Sequence, residues 1–388
     1  MTMHISEKSR TGMREQQATR VIFLIAGLGM ASWAPLIPFA KAHLNVGEGA
    51  LGLLLFCIAA GSMSMMPFTG RLIARFGYRP LLTLCALALC FILPLLMLVE
   101  SFAAMGLVLL LFGAANGVLD VTMNAQAVVV ERRSGQAKMS GFHGCYSMGS
   151  ILGAGSVSAL LWLGAAPLTA VCAVAVAIAL LLAVAFAHLL PKSGPASAAQ
   201  SGTLRALSHR AVLLIAVVCF FIFLTEGAML DWSALFMTSE RGMAAQQAGL
   251  GYALYSVAVA LARLFGDRLI NRLGGARVLM LGSLLAAAGL LMLVTAPQIG
   301  IALLGFVLTG AGLANIVPLL FTAAGNQPGV PPDFAIPAVT LIGYAGLLTG
   351  PALIGFAAQL IGLSLTFSAG IVILLLLASG SRRIAPGK

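Results

Sequence analysis

The sequence predicts an all-α membrane protein with twelve transmembrane helices, arranged as two pseudo-symmetric six-helix bundles. Hydrophobic residues make up 60% of the 388 residues and charged residues only 9%, whereas about a quarter of a soluble domain is charged. Apolar runs of roughly 20 residues recur along the chain, and each is long enough to cross a bilayer core of ~30 Å. A short basic stretch is also repeated at half the length of the chain.

The predicted spans are joined by short connections, with one long polar exception. They cover 21–42, 50–70, 80–99, 104–130, 141–163, 167–190, 211–237, 248–270, 277–296, 300–324, 335–360 and 363–381. The exception, PKSGPASAAQSGTLRALSHR, has the Pro, Gly and Ser content of a flexible linker. We therefore expect an N-terminal tail (1–20), a first bundle (21–190), a linker (191–210), a second bundle (211–381) and a C-terminal tail (382–388).

The net charge of +11 follows the predicted topology. With the N-terminus in the cytoplasm, all but three of the 22 Lys and Arg residues fall in cytoplasmic segments, and the exceptions are Lys41, Arg241 and Arg263. This asymmetry is the positive-inside rule. It predicts that both termini are cytoplasmic, and it removes the reason to expect a nucleic-acid partner.

The two halves of the chain are related in sequence. RLIARFG (71–77) returns as RLINRLG (268–274), with five of seven residues identical at an offset of 197. The same offset pairs three glycines of each half, and an offset of 199 pairs Trp33 with Trp232. Parallel repeats of six helices predict a central site between two bundles. The glycines at 149, 153, 346 and 350 form Gly-x-x-x-Gly pairs, which predict close helix packing or a surface for sliding.

Several of these stretches resemble the major facilitator superfamily of transporters. GRLIARFGYR (70–79) resembles the family signature in the loop between helices 2 and 3, and GDRLINRLGGAR (266–277) occupies the equivalent loop of the second half. MASWAP (30–35), FHGCYSMGSILGAG (142–155) and EGAMLDWSALF (226–236) resemble the MosC-like branch, and the fucose-permease-like branch is similar in part. The resemblance implies the major facilitator fold, a bacterial inner membrane location and a monomer.

The loop signature departs from the family pattern at its acidic residue. The usual aspartate is Ala74 in the first copy and Asn271 in the second. The resemblance implies that this acid caps a helix of the other half and holds one gate state. Ala74 offers no acceptor, so we expect that latch to be weakened or supplied by other residues. The remaining loop residues are gate elements or simple membrane anchors: Arg71, Arg75, Gly77, Arg79, Arg268, Arg272 and Gly274.

Acidic residues within predicted spans are the main candidates for function, because a charge at the membrane centre costs ~2.5–3.5 kcal/mol. Asn116, Asp120 and Asn124 recur at i, i+4 and i+8, which places them on one helix face. The face predicts a cavity lining, with hydrogen bonding between helices as the alternative. Glu226 is the candidate of the second half, and Asp231, nearer the outer end, is interpreted as structural.

The only deep cation is Arg263, for which Asp267 at i+4 is a predicted partner at the inner gate. Asp120, Glu226 and Asp231 then outnumber the arginine, and such buried acids must be protonated or meet a cation. A proton gradient is the predicted energy source, and a sodium ion or a cationic solute would meet the same need.

Further polar and aromatic residues could contact a solute. Asn315, close to Pro318, predicts a broken helix lining the same cavity. His143, at the start of its span, is a titratable candidate or a packing residue. The aromatic candidates, which could instead be interface anchors, are Trp33, Trp232, Tyr252, Tyr255 and Tyr344.

The sequence excludes several other classes. It has no nucleotide-binding loop, no His-Glu-x-x-His motif and no Gly-x-Ser-x-Gly elbow, so we expect neither an ATP-driven pump nor an enzyme. Its six cysteines lack metal-ligand spacing, which predicts no metal or other cofactor. We expect a secondary transporter of a small polar solute such as a sugar, a polyol or a rhizopine-like compound. The alternatives are a drug or metabolite efflux antiporter and a ligand sensor that does not transport.

Overall fold

The computed structural model describes residues 2–46, 48–191, 202–243 and 250–384. Every regular element within these ranges is a helix, which confirms the all-α prediction. In chain order the helices are α1 (Thr2–Ala31), a 3₁₀ turn η1 (Ala34–Leu36), α2 (Ile37–Leu44), α3 (Glu48–Phe76), α4 (Tyr78–Leu95), α5 (Phe102–Ser134), α6 (Met139–Trp162), α7 (Pro167–Phe186), α8 (Thr203–Ala206), α9 (Arg210–Ser239), α10 (Leu250–Leu273), α11 (Gly275–Thr295), α12 (Ile299–Leu313), α13 (Ile316–Gly325), α14 (Pro332–Ile361) and α15 (Leu363–Ile384).

Eleven segments of the described chain are long and apolar enough to cross a membrane. The remaining predicted span, 248–270, corresponds to α10, which has 24 residues and is therefore about 36 Å long. Its second half carries four charged residues, Arg263, Asp267, Arg268 and Arg272. The helices thus account for the twelve predicted spans.

Two predicted spans are interrupted. The first, 21–42, belongs to α1 only as far as Ala31, after which η1 and α2 follow, with Pro35 in the first turn of η1. Proline lacks the N–H that a continuous helix needs. The predicted span 300–324 is divided into α12 and α13 at residues 314 and 315. The predicted broken helix at Asn315 is therefore confirmed.

The described helices group into two compact units. The first comprises Met1–Gly135, Phe142–Arg205 and Pro331–Pro337, and the second comprises Gln136–Gly141, Ala206–Val330 and Ala338–Lys388. Each unit therefore includes a short segment from the opposite half of the sequence. The predicted bundles, 21–190 and 211–381, did not include these two segments in the opposite unit. Their assignment depends on contacts between residues that are distant in sequence.

Glycines allow the closest helix contacts inside each unit. A Cβ on Gly113 of α5 would overlap the carbonyl oxygen of Ile58 on α3, and one on Gly310 of α12 would be 2.5 Å from the carbonyl oxygen of Tyr255 on α10. Ile58 and Tyr255 are themselves 197 positions apart. The sequence repeat is therefore also a repeat of packing contacts.

The Gly-x-x-x-Gly pairs are packing positions as well. Gly149 lies against the carbonyl of Leu24 on α1, and Gly346 lies against the carbonyl of Phe220 on α9. Leu24 and Phe220 are 196 positions apart, three fewer than the offset that pairs the two tryptophans. Three residues are close to one helical turn. The positions of α1 and α9 that are equivalent by their glycine contacts are therefore shifted by about one turn from those that the tryptophan pairing suggests.

Candidate functional site

The polar face predicted on α5 is present in the first unit. Asn116 and Asn124 are buried, and Asp120 between them is half-buried. The Nδ2 of Asn124 donates to the backbone oxygen of Asp120 (2.9 Å) and to its Oδ1 (3.3 Å). The amide of Asn124 therefore holds the carboxylate in place from one turn below.

His143 of α6 extends this polar group. Its Nε2 lies 3.1 Å from the Oδ1 of Asn124. Because the Nδ2 of that amide already donates to Asp120, its Oδ1 is the acceptor and the histidine donates. The ring of Phe23 on α1 packs against the imidazole at 5.3 Å. The structure thus joins His143, which the sequence offered as a separate candidate, to the predicted face of Asp120 and Asn124.

The second unit contains an ion pair between Glu226 of α9 and Arg263 of α10. The Nη2 of Arg263 lies 3.8 Å from the Oε1 of Glu226, and the side chains are 13% and 19% exposed. Within the described residues this oxygen has no hydrogen-bond partner. At 3.8 Å the guanidinium supplies charge but not a hydrogen bond. Asp231, five residues further along α9, is exposed.

Arg263 also binds the break between α12 and α13. Its Nε donates to the carbonyl oxygen of Ala314 (3.0 Å), and the Nδ2 of Asn315 donates to the oxygen of Ala262 (3.3 Å). A helix break exposes backbone oxygens that have no partner in the helix. Asn315 and Arg263 therefore join α10 to the break by two hydrogen bonds in opposite directions.

One helical turn or more beyond Arg263, α10 binds the segment Gln136–Gly141, which belongs to the second unit although it comes from the first half of the sequence. We call this segment and its counterpart Pro331–Pro337 the exchanged segments. The Oδ2 of Asp267 accepts the N–H of Gly141 (3.0 Å). Asn271 accepts the N–H of Ala137 (2.8 Å) and donates to its oxygen (3.2 Å). These contacts satisfy donors at the start of α6. The predicted pair between Arg263 and Asp267 stays a prediction, since the ion pair seen for Arg263 is with Glu226.

The first loop motif has no acid of its own at the positions where the second motif has Asp267 and Asn271. Gly70 and Ala74 stand where the second copy has Asp267 and Asn271. In the first unit the carboxylate is supplied by Asp333, in the first turn of α14, which accepts a hydrogen bond from Tyr78. The first unit thus has a hydrogen bond between a tyrosine on α4 and an aspartate on α14 near this motif, and whether it acts as the expected latch stays a prediction. Sequence reasoning missed both, although an aspartate in a first helical turn is a recognisable signal.

The arginines of the first loop motif differ in environment. Arg79 donates from Nε and Nη2 to the oxygen of Leu189 (3.1 and 2.7 Å) and from Nη2 to Ala187 (3.1 Å). Arg71 and Arg75 are exposed. Arg79 therefore satisfies backbone oxygens just beyond the end of α7, which is a structural role.

The glycines of the two motifs have equivalent conformations. Gly77 has φ 84° and Gly274 has φ 83°, in the region that favours glycine. Their N–H groups donate to the oxygens of Ile73 and Ile270, each at 2.8 Å. Each glycine ends one helix and precedes the next, so Gly77 and Gly274 shape the loop in both units. Arg268 and Arg272 of the second motif are exposed.

The aromatic candidates are divided between the units. In the second unit Tyr252 and Tyr255 stack at 6.0 Å, and Tyr344 lies 5.6 Å from Phe223. Trp33 in the first unit is 3% exposed. The indole N–H groups of both Trp33 and Trp232 are buried without a hydrogen-bond partner among the described residues.

The described residues contain no group of three His, Cys, Asp or Glu side chains placed to hold a metal ion. The site residues instead form one acid-containing cluster in each unit, around Asp120 and around Glu226.

Comparison with known proteins agrees with this architecture. The family model of the Major Facilitator Superfamily matches residues 21–332. A protein of Yersinia pestis named as an uncharacterized MFS-type transporter is 50% identical over 373 residues, covering 96% of each chain. Membrane protein MosC of Rhizobium meliloti is 31% identical over 348 residues, covering 88% of this chain and 83% of MosC.

A solved structure shows the same fold. FucP, a Major Facilitator Superfamily transporter in the outward conformation, matches with a TM-score of 0.80 and 16% identity, covering 96% of this chain and 99% of FucP. A second FucP structure is described as that of the E. coli fucose:proton symporter. The helices, the duplicated packing and the family match together show that this chain belongs to the major facilitator superfamily, a family of membrane transporters that are not enzymes, and to its MosC-like branch.

Proposed function

We propose that this protein is a proton-coupled secondary transporter that carries a small polar organic solute by alternating access. The observation that carries the proposal is the carboxylate of Glu226, buried beside Arg263 with one oxygen that has no hydrogen-bond partner among the described residues. An ionised carboxylate in that position is incompletely compensated. A proton relieves this cost, so Glu226 is suited to bind and release one during each cycle.

The class of solute is inferred from two buried indole groups. The indoles of Trp33 and Trp232 each bury an N–H without an acceptor in the described residues, and a buried donor without a partner costs ~1–3 kcal/mol. The hydroxyl groups of a sugar, a polyol or a rhizopine-like compound would supply acceptors. FucP, which shares the fold, is a fucose:proton symporter, in keeping with this class.

We place the protein in the bacterial inner membrane as a monomer with both termini in the cytoplasm. The distribution of Lys and Arg supports this orientation. The test is a reporter domain that is active only in the cytoplasm, fused after residue 388 or at the linker. Both fusions are expected to be active.

The function is tested with purified protein in lipid vesicles that contain a pH-sensitive dye. A thermal-shift screen of sugars, polyols and amines identifies a ligand, and its addition is expected to move protons in the same direction as the solute. Proton movement opposite to the solute would favour the efflux antiporter, and binding without flux would favour the sensor.

The role of Glu226 is tested in the same vesicles. Glu226→Gln is expected to abolish solute-driven proton movement while retaining exchange of labelled for unlabelled solute. Asp231→Asn, which changes an exposed acid on the same helix, is the matched control and is expected to behave as the parent. Proton movement that survives Glu226→Gln would contradict the assignment.

A further inference from the structure

Four exposed arginines lie at helix ends in the second unit. They are Arg272 in the last turn of α10, Arg277 in the first turn of α11, and Arg382 and Arg383 in the last turn of α15. Gly274 alone joins α10 to α11, so Arg272 and Arg277 belong to the same end of the unit. We call the four arginines the basic cluster.

The arginines of α11 and α15 lie at the same level. α11 packs against α15, and a Cβ on Gly370 would lie 3.1 Å from the Cδ1 of Leu290. These two helices are the ninth and twelfth spans, which run in opposite directions because each span reverses the chain. Arg277 precedes Leu290 by 13 positions, and Arg383 follows Gly370 by 13 positions. Both therefore lie about 20 Å from this contact, in the same direction.

The second unit offers few acids to balance this charge. Neither α11 nor α15 contains an acidic residue. The acids in the sequence of this unit are Glu226, Asp231, Glu240 and Asp267. The ion pairs seen in the described chain, Arg133 with Glu15 and Arg263 with Glu226, do not include the basic cluster. An anion that neutralises the cluster therefore comes from outside the second unit.

The first unit uses its equivalent arginine in a different way. Arg79, at the start of α4, donates to the oxygens of Leu189 and Ala187 just beyond the end of α7. α4 and α7 correspond to α11 and α15, because their first residues are 197 and 196 positions apart. Arg277, at the start of α11, is instead exposed. One arginine thus joins two helix ends in the first unit, whereas several exposed arginines collect at the equivalent ends in the second.

The cluster also continues two apolar strips on the surface of the helix pair. Each strip consists of exposed residues whose spacing places them on one helix face: Arg277, Leu281 and Leu284 on α11, and Val372, Leu376 and Arg383 on α15. Exposed apolar side chains of a membrane span are in contact with acyl chains, and arginines at its end reach the headgroup region. The two strips therefore combine a surface for lipid tails with cations at the level of a headgroup.

We propose that the basic cluster binds the phosphate headgroup of an anionic phospholipid, whose acyl chains lie along the two strips. The planar guanidinium of arginine forms paired hydrogen bonds with phosphate, and basic sites at the cytoplasmic ends of membrane helices attract anionic headgroups. The proposed topology places the cluster in the cytoplasmic leaflet. The lipid joins the ends of α11 and α15, as Arg79 joins the corresponding ends in the first unit, and its binding does not depend on Glu226 or on the solute.

The proposal is tested by titrating the purified full-length protein with phosphatidylglycerol and counting bound lipids by native mass spectrometry. Phosphatidylethanolamine, which has a phosphate but no net charge, is the reference lipid. We expect the parent to prefer phosphatidylglycerol, and Arg277→Gln and Arg383→Gln each to weaken its binding about fivefold. Arg277→Lys keeps the charge and should retain most of the affinity. Arg75→Gln, which removes an exposed arginine of the first unit, is the matched control and should bind as the parent does.

Thermal melting in detergent gives a second measurement. Phosphatidylglycerol is expected to raise the melting temperature of the parent, because a ligand that binds the folded protein stabilises it. The double variant of Arg277→Gln and Arg383→Gln should melt as the parent does without lipid, and should gain little when the lipid is added. This comparison separates loss of lipid binding from loss of folding.

Three results would overturn the proposal. Unchanged affinity for phosphatidylglycerol in the double variant would show that the cluster does not hold the headgroup. Equal binding of the two lipids by the parent would contradict recognition of the negative charge. An equal loss of affinity in Arg75→Gln would show a general attraction to basic surfaces in place of a site at α11 and α15.

Discussion

The hydroxyl of Tyr78 donates a hydrogen bond to the Oδ1 of Asp333 over a separation of 255 positions in the sequence. Tyr78 is buried in the first turn of α4, and Asp333 lies in the first turn of α14. Both belong to the first unit, because the segment Pro331–Pro337 packs there. The first loop motif thus lacks the acid that the second motif has at Asp267, and the first unit has an acid at Asp333 in the segment Pro331–Pro337.

We expect this bond to stabilise the first unit measurably. Tyr78→Phe removes the donor and leaves the ring, so melting in detergent should occur at a lower temperature, by the equivalent of ~1.5–3 kcal/mol for a lost bond to a charged group. Asp333→Ala should have a similar effect, and the double variant should be little worse than either single one. Fully additive losses in the double variant would show that the two residues do not act together.

Glycine-to-alanine substitutions are predicted to have opposite effects on stability at packed and at unpacked positions. Gly113→Ala places a Cβ on the carbonyl of Ile58, and overpacking of this kind costs ~1–3 kcal/mol. Gly310→Ala should act similarly at Tyr255. Gly155, also helical, has no atom within 4 Å of its Cβ position, so Gly155→Ala should raise stability slightly through helix propensity. Thermal melting checks the signs, and a stable Gly113→Ala would contradict the repeat of close contacts.

The arginines of the first loop motif should separate into structural and exposed groups. Arg79→Ala removes three hydrogen bonds to Leu189 and Ala187, and we expect a clear loss of melting temperature, equivalent to ~1.5–3 kcal/mol. Arg75 is exposed above the ring of Phe76, so Arg75→Ala should melt as the parent does. The same loss in both variants would instead favour a general anchoring role for every basic residue of the loop.

His143 is expected to act as a hydrogen-bond donor to Asn124. His143→Gln can still donate but cannot titrate, and we expect solute uptake to be close to that of the parent. His143→Leu leaves the amide of Asn124 without its donor, and uptake should fall about tenfold, as for the loss of one buried hydrogen bond. Uptake into vesicles is the measurement. If His143→Gln is as defective as His143→Leu, the histidine contributes by titration.

The polar groups of the two units illustrate what could be predicted about the site. The face of Asn116, Asp120 and Asn124 was recognisable because its spacing is local and repeats at four residues. The contact with His143 was not, since it depends on how α6 is rotated against α5. Likewise Glu226 and Arg263 were found separately as charged residues in apolar helices, whereas their pairing required the packing of α9 on α10.

The second loop motif shows the same limit. Its repetition predicted an equivalent place in each half, and Gly77 and Gly274 indeed share a conformation and a hydrogen bond. Ala74, at the position of the family's usual aspartate, predicted a latch that is weakened or supplied by other residues. Which side chains bond near the two motifs depended on segments more than 100 positions away in the sequence.

The amino-acid sequence by itself determined the all-α membrane class, the number of spans, the duplication and the candidate acids. These follow from contiguous apolar runs, local periodicity and repeated motifs. Each of these signals is contained in a short stretch of sequence. The tertiary structure alone decided that Arg263 faces Glu226, that Tyr78 meets Asp333, and that each unit takes in a segment of the opposite half. Successive residues on a helix point 100° apart, so small rotations of packed helices select which distant side chains meet.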